Sequence, residues 1–281
     1  MRPRTLNSKD IQRYHEDGYV IAKGFFDPEE ISLLDRAARE DHELDKRSFG
    51  RMDGEGGCVR LSLWNHPGEG IYGMFARCER IVRSVEAILE GEVYHYHSKM
   101  IMKDAKIGGA WTWHQDYGYW YQNGILQPLL TSVSIAVDPA TTENGCLQVI
   151  PGSHLLGRIN HNLSGDQAGA DMERVREILK RMPVVYCAME PGDAIFFHCN
   201  LLHRSNQNTS DKPRWSMICC YNAARNNPYK ESHHPCYTPL KLVPDTALKE
   251  VGIKRFSDDP SDVAWLQDKR DQSAKILAPN P

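Results

Sequence analysis

The segment VYHYHSKMIM, residues 93–102, marks the point at which the sequence changes from helical to strand-like patterning. Before it, apolar residues recur every three or four positions, and after it the side chains alternate with a period of two. Pro151-Gly152 and Pro191-Gly192 supply turn signals between further alternating runs. We therefore predict seven strands, at residues 93–102, 110–116, 129–138, 146–150, 183–188, 194–198 and 214–222.

Helical patterning dominates the region before residue 93. Asp27 and Pro28 have the positions of an N-cap and a first helical residue, and an apolar stripe before Gly91 predicts one uninterrupted helix. The predicted helices cover residues 8–16, 28–40, 71–89 and about 169–181, and an early strand covers residues 18–24.

Many strands preceded by helices are typical of a β-sandwich or a jelly roll with helices at its side. We expect a mostly β fold with flanking α-helices in one domain over residues 1–281. Within it, residues 1–92 would form helical support, 93–225 the jelly-roll core, and 226–281 a C-terminal segment that wraps the barrel.

Composition excludes several classes of protein. Of the 281 residues, 41% are hydrophobic and 25% charged, which is ordinary for a globular protein. A net charge of −3 gives no electrostatic attraction to nucleic acid or to anionic membranes, and no apolar run approaches the roughly 20 residues that span a bilayer. The eight cysteines form no C-x-x-C pair and the N-terminus is polar. We expect free thiols, a cytoplasmic location, and a monomer or homodimer without nucleic-acid or membrane partners.

One segment, WTWHQDYGYW at residues 111–120, carries residues suited to metal binding. His114 and Asp116 stand two apart on a predicted strand, so their side chains should project to one face. A histidine from a later strand, His198 or His203, would complete a facial two-histidine, one-carboxylate site with three open coordination positions. His203 follows an apolar strand, whereas His198 has the pattern of a packed histidine. An H-x-D alone is weak, because it often occurs by chance.

Arg214 opens the last predicted strand. An arginine that faces a barrel interior needs an anion, and its planar fork matches a carboxylate. The alternative is an exposed arginine at a strand end, since most arginines are exposed.

The sequence resembles the phytanoyl-CoA dioxygenase family, including its ectoine hydroxylase branch. The similarity covers roughly residues 10–225 in order, and the joint pattern is far more specific than any one motif. The matching segments are HEDGYV at 15–20, GFFDP at 24–28, HQD at 114–116, ENGCLQVIPGSH at 143–154, PGD at 191–193, and His203 and Ser205 with Arg214.

This resemblance implies a double-stranded β-helix, or jelly roll, and a set of site residues. It implies His114, Asp116 and His203 as iron ligands and Arg214 with Ser205 as the clamp for 2-oxoglutarate. The family often places a basic residue near the same co-substrate. Lys99 falls at that place, although Lys103 competes for the role.

The resemblance also implies the chemistry. The cofactor would be Fe(II), with 2-oxoglutarate and O2 as co-substrates, and the reaction would hydroxylate an unactivated carbon of a small organic substrate, releasing succinate and CO2. Related halogenases have a small residue at the position of Asp116, so its presence implies hydroxylation. The alternative is a non-catalytic module that binds the metal and 2-oxoglutarate. The loss of one metal ligand would be typical of such a module, and all three ligands are present.

Aromatic residues next to the H-x-D motif are expected to line the substrate pocket. Trp120 is the strongest candidate, followed by Tyr117 and Tyr119, with barrel packing as the alternative. Arg225 is a further candidate for a substrate carboxylate, although solvated loop arginines are commoner. The pattern does not identify ectoine itself as the substrate.

Two other groups of metal-binding residue types do not form a convincing site. His95 and His97 resemble the paired histidines of a cupin, but no glutamate follows them. The run HHPC at 233–236 lacks a second ligand pair at zinc-site spacing. We interpret both as structural.

Overall fold

Fourteen strands and eight helices form the part of the chain that the computed structural model describes, residues 5–53, 56–254 and 263–268. The strands are β1 (Tyr19–Ala22), β2 (Phe49–Met52), β3 (Cys58–Trp64), β4 (Val93–Lys103), β5 (Trp111–His114), β6 (Leu130–Ala136), β7 (Leu147–Val149), β8 (His161–Ser164), β9 (Gln167–Ala170), β10 (Val185–Cys187), β11 (Ala194–His198), β12 (His203–Ser205), β13 (Arg214–Ala223) and β14 (Trp265–Leu266). The helices are α1 (Ser8–Asp17), α2 (Pro28–Glu40), α3 (His42–Lys46), α4 (Ile71–Arg77), α5 (Glu79–Leu89), α6 (Asp116–Trp120), α7 (Met172–Leu179) and α8 (Ala247–Lys254).

The strands form two main antiparallel sheets and one hairpin. In the larger sheet the order is β1-β11-β6-β13-β4-β3-β14, with β2 also paired to β3, and in the smaller sheet it is β10-β7-β12-β5. The hairpin consists of β8 and β9. A cavity lined by residues of both main sheets lies between them.

Side chains of β4 alternate between the two faces of the larger sheet. Met100 and Met102 belong to the principal hydrophobic core, together with residues of α1, α2, α4 and α5. Lys99 and Ile101 line the cavity on the opposite face. This period-two pattern, which the sequence showed, therefore separates the core from the functional face.

Helix α2 has the predicted start. The Asp27 side chain accepts a hydrogen bond from the backbone N–H of Glu30, and the Glu30 carboxylate accepts one from the N–H of Asp27. This reciprocal capping box satisfies two donors that a helix N-terminus leaves without intrahelical partners.

The prediction of one helix over residues 71–89 is wrong. The chain breaks at Cys78, whose φ of −64° and ψ of 144° are extended, so α4 and α5 are separate helices. The backbone N–H of Val243 donates to Arg77 O at 3.0 Å, and the N–H of Glu79 donates to Val243 O at 3.1 Å. A distant segment thus replaces the intrahelical bonds, which a local apolar stripe cannot reveal.

Several further boundaries differ from the predictions. The expected helical support over residues 1–92 omitted β2 and β3, and the expected helix at 169–181 starts later because β9 precedes it. The predicted strand at 110–116 ends at His114, and Asp116 begins a short helix.

None of the described helices is both long and apolar enough to cross a membrane. The eight cysteines are free thiols.

Candidate active site

Three side chains with metal-binding atoms meet between β5, α6 and β12. His203 lies opposite His114 in the β5–β12 ladder, and their ring centroids are 4.1 Å apart. Asp116 Oδ1 is 3.8 Å from His114 Nε2 and 4.0 Å from His203 Nε2. All three ligand atoms lie within 4.8 Å of one another, so small side-chain movements would let one ion contact each at about 2.0–2.2 Å.

Hydrogen bonds fix the orientation of each member of this triad. Nδ1 of His114 lies 2.7 Å from Thr112 O, and Nδ1 of His203 lies 2.9 Å from Leu201 O. Because a carbonyl only accepts, each Nδ1 carries the proton, and each Nε2 lone pair is left for a metal.

The carboxylate of Asp116 is held at both oxygens. The Tyr119 hydroxyl donates to Oδ1 at 2.6 Å, and the Ser132 hydroxyl donates to Oδ2 at 3.1 Å. Because Tyr119 stands one helical turn after Asp116, the start of α6 supplies this contact. The prediction of a strand over residues 110–116 gave no indication of this hydrogen bond, which requires a helical turn.

The charges of the triad suit a divalent cation. Burial, and next the neighbouring His203, hold the pKa of His114 well below its usual 6.5, and burial also lowers the pKa of His203. Burial acts to raise the pKa of Asp116, but His203 and Lys99 lower it more, leaving it below 3.8. At neutral pH the site therefore presents two neutral imidazoles and one carboxylate, the forms that bind metal.

A second polar group lies deeper between the sheets. Arg214 is paired in register with Lys103 on the cavity face of β13 and β4, and Ser205 lies on β12. The Lys103 ammonium donates to Ser205 Oγ at 2.8 Å and to the carbonyl of Asn206. Burial lowers the pKa of Arg214 to about 10, so the guanidinium is charged at neutral pH, and its Nε is buried without a hydrogen-bond partner within the described residues. This arrangement has the chemistry of a carboxylate site.

Lys99 lines the cavity, whereas Lys103 is not one of its lining residues. Lys103 is fully buried beside Ser205 and Arg214. Lys99 lines the cavity nearer the triad, where its charge contributes to the lowered pKa values of Asp116 and His203. The basic side chain in contact with the Arg214 and Ser205 cluster is therefore Lys103, and Lys99 is not part of that cluster.

Two of the four predicted substrate residues line the cavity. Tyr119 and Trp120 do so, whereas the Tyr117 hydroxyl donates to Ile125 O at 3.1 Å away from the cavity. Arg225 is exposed and donates to Leu89 O at 2.7 Å and Glu90 O at 3.3 Å at the end of α5. Neither Tyr117 nor Arg225 lines this cavity, because local hydrogen bonds direct both side chains elsewhere, and their role in substrate binding stays a prediction.

His234 also lines the cavity, although the sequence gave no indication of this position. Its ring stacks on that of His97 at 4.5 Å with an interplanar angle of 15°, and His97 meets Trp120 edge to face at 5.5 Å. The run HHPC marked the segment but gave no indication of a partner on β4, since the two rings are 137 positions apart.

His198 and His95 make local hydrogen bonds outside the triad. His198 Nδ1 accepts from the backbone N–H of Asn200, and His95 contacts Asn65 O and Ser98 Oγ. Trp111 lines the cavity, whereas Trp113 packs in a separate core. Over the described ranges, His114, Asp116 and His203 form the one cluster with metal-binding geometry.

Comparisons with solved structures identify the fold. The structure of EctD from S. alaskensis with bound Fe superposes with a TM-score of 0.73 over 87% of this chain and 89% of that one, at 23% identity. The carbocyclase SnoK from nogalamycin biosynthesis gives a TM-score of 0.65 over 85% of this chain and 100% of its own, at 20% identity. The predicted jelly-roll fold with flanking helices is thereby confirmed.

Sequence comparisons identify the relatives. An L-proline trans-4-hydroxylase from Streptomyces griseoviridis is 30% identical over 251 residues, which cover 83% of this chain and 91% of the relative. An ectoine dioxygenase from Bordetella parapertussis is 27% identical over 264 residues, covering 88% and 85%. Residues 14–216 match the phytanoyl-CoA dioxygenase (PhyH) family. The chain therefore belongs to the phytanoyl-CoA dioxygenase family.

Proposed function

We propose that this protein is an Fe(II)- and 2-oxoglutarate-dependent dioxygenase that hydroxylates an unactivated carbon of a small organic substrate, with release of succinate and CO2. The observation that carries the proposal is the convergence of His114 Nε2, His203 Nε2 and Asp116 Oδ1 at one wall of a cavity of about 110 Å³. Two imidazoles and a carboxylate on one face are the ligand set of non-haem iron(II) oxygenases.

The residues of the triad fit an iron ion in ligand type and spacing. Both histidines have the tautomer that a metal requires, and Asp116 is ionised and hydrogen-bonded at both oxygens. When bound, ferrous iron would supply three open coordination positions for a chelating keto acid and dioxygen, together with the oxidising capacity for hydroxylation. Asp116 fills the position that a halide would need, so hydroxylation is favoured over halogenation.

The distal carboxylate of 2-oxoglutarate would lie at Arg214. Its guanidinium is buried and charged and can form two parallel hydrogen bonds to a carboxylate. Ser205 can donate its hydroxyl to the same anion, and Lys103 holds Ser205 in place through its hydrogen bond to Oγ. We thus assign the clamp to Arg214, Ser205 and Lys103, with Lys103 in the role expected for Lys99.

The residues around the triad would orient the substrate and exclude water. Trp120 and Tyr119 line the cavity beside Asp116, and Trp111 lines it near His114. The relatives' names refer to free small molecules, L-proline and ectoine. We propose a free small molecule as the substrate on this basis. We further propose one catalytic domain in the cytoplasm, supported by the continuous family match and by eight free, mostly buried cysteines.

Succinate formation tests this function directly. Purified protein is supplied with Fe(II), 2-oxoglutarate and O2, and succinate is measured with L-proline, ectoine and related cyclic amino acids as candidates. We expect slow succinate release that a substrate accelerates, and none from Asp116→Ala. A protein that binds 2-oxoglutarate but never forms succinate would instead be the non-catalytic module.

A further inference from the structure

Two cations that line the cavity, Arg214 and Lys99, have no hydrogen-bond or ion-pair partner among residues 5–53, 56–254 and 263–268. The other lysine and arginine side chains at this cavity are engaged: Arg51 with Asp268 at 2.6 Å and Arg204 with Gln148 at 2.9 Å. A partly buried charge without a partner is costly, so it indicates a binding site for an anion.

Lys99 and Arg214 stand at separate positions on the cavity wall. Arg214 is opposite Lys103 on β13 and β4, whereas Lys99 is opposite Ile218. Four residues of strand separate the backbones of Lys99 and Lys103, which is about 13 Å. Lys99 instead lies within electrostatic reach of Asp116, His203 and His97.

Charge balance leaves Lys99 without a counter-ion in the loaded site. The two positive charges of a ferrous ion are matched by Asp116 and by the metal-chelating carboxylate of 2-oxoglutarate. The distal carboxylate of 2-oxoglutarate is matched by Arg214. The ammonium of Lys99 then remains half-buried at the cavity wall, and no residue of the described ranges forms an ion pair with it.

The surroundings of Lys99 suit the rest of a small acid. His97, two residues earlier on the same face of β4, meets Trp120 edge to face and stacks on His234. These three rings give an aromatic wall next to the cation. A molecule with one carboxylate and a compact, largely apolar body would fill both parts.

We propose that Lys99 binds the carboxylate of the substrate, so that the substrates are small carboxylic acids whose body packs against Trp120 and His97. This inference rests on the proposed function, because it requires the metal and 2-oxoglutarate to occupy the rest of the cavity. Lys99 thereby sets specificity for acids over their neutral analogues.

Calorimetric titration of an unreactive complex provides the test. The protein is loaded with Ni(II) and N-oxalylglycine, which replace Fe(II) and 2-oxoglutarate, and titrated with L-proline, L-pipecolic acid and L-leucine and with the carboxamide of each. At least one acid is expected to bind roughly 10- to 100-fold more tightly than its amide, since hydrogen bonds to charged groups have that strength. Lys99→Met should remove the preference and Lys99→Arg should restore part of it. The exposed Lys180 supplies the matched control, Lys180→Met, which should keep the full preference.

Three results would overturn the inference: no acid binds the wild-type complex, amides bind as tightly as acids, or Lys99→Met retains the preference. The affinity for N-oxalylglycine separates this inference from the proposed function. It should change less than threefold in Lys99→Met and fall at least tenfold in Arg214→Met. A tenfold loss in Lys99→Met would assign Lys99 to the co-substrate, with the proposed function intact. A wild-type protein that binds neither Ni(II) nor N-oxalylglycine would overturn both.

Discussion

At the scale of single residues, the position of Asp116 determines how the site is held. Asp116 is the first residue of α6, so Tyr119 returns to it after one turn and donates a hydrogen bond to Oδ1. Oδ1 is also the oxygen nearest both imidazoles. We therefore regard Tyr119 as a positioning residue that keeps the metal-facing oxygen in place.

Tyr119→Phe should lower the apparent affinity for Fe(II) about 10- to 100-fold, because contacts that orient metal ligands have effects of that size. The measurement is an anaerobic Fe(II) titration, and the loss should be overcome by saturating iron. Tyr117→Phe is the matched control, since the Tyr117 hydroxyl donates to Ile125 O. Equal iron affinity in Tyr119→Phe and wild type would contradict the assignment.

His203→Ala should abolish binding of iron, because removal of one imidazole leaves only two protein ligands. His198→Ala should retain one iron per chain, since His198 contacts the backbone of Asn200 and not the triad. Metal analysis after desalting measures both. Retention of iron by His203→Ala together with its loss from His198→Ala would show that the third ligand is misassigned.

Residues in local motifs could be identified from the sequence, whereas residues whose role depends on distant contacts could not. His114 and Asp116 were candidates because H-x-D is local, and the family resemblance implied His203 as the third member. Lys99 and Lys103 could not be distinguished, since both project to the same face of β4. The place of His234 at the cavity depends on its contact with His97, which is distant in the sequence. Neither spacing nor composition indicates such a contact.

At the scale of elements, a buried histidine connects β4 to the loop that follows β3. Nδ1 of His95 donates to Asn65 O at 3.1 Å, and the Ser98 hydroxyl lies 2.7 Å from Nε2. Burial is the main cause that lowers the pKa of His95 to about 3. The neutral ring is therefore the folded form, and protonation opposes folding.

Stability should consequently fall as the pH decreases from about 6.5 towards 3, because only the unfolded chain takes up the proton in that range. Between pH 7.5 and 5.5, His95 should account for a loss of about 1 kcal/mol in the free energy of unfolding. Denaturant unfolding at both values measures it, and His95→Gln should show a smaller loss. The exposed His42 gives the control His42→Gln, which should behave as wild type. An unchanged pH dependence in His95→Gln would refute the role of burial.

The N-terminus of α2 offers a test of an element that the sequence predicted correctly. Asp27→Ala removes the capping box and should lower the free energy of unfolding by about 1 kcal/mol. This corresponds to a decrease of about 2 °C in Tm. Asp27→Asn keeps a good cap without the charge that pairs with Lys249, so it should retain most of the stability. Thermal unfolding of both variants is the measurement, and equal losses would indicate that the surface ion pair matters more than the cap.

At the scale of the whole molecule, the fold places the principal apolar core and the cavity of the candidate active site on opposite faces of the larger sheet. The alternation at residues 93–102 and 214–222 predicted the strands that carry this separation. The same period-two alternation occurs in β3, where Val59, Leu61 and Leu63 are buried, although no strand was predicted there. The break between α4 and α5 could not be predicted, because residue 243 supplies the hydrogen bonds that replace those of a helix.

The central claim is that two imidazoles and one carboxylate hold a single ferrous ion with half of its coordination positions open. An anaerobic titration with Fe(II) and 2-oxoglutarate, followed by visible absorption and metal analysis, tests it most directly. We predict one iron per chain and a metal-to-ligand charge-transfer band that appears only when both components are present and is absent from Asp116→Ala. Absence of the band from wild type, or an equal band in Asp116→Ala, would contradict the account.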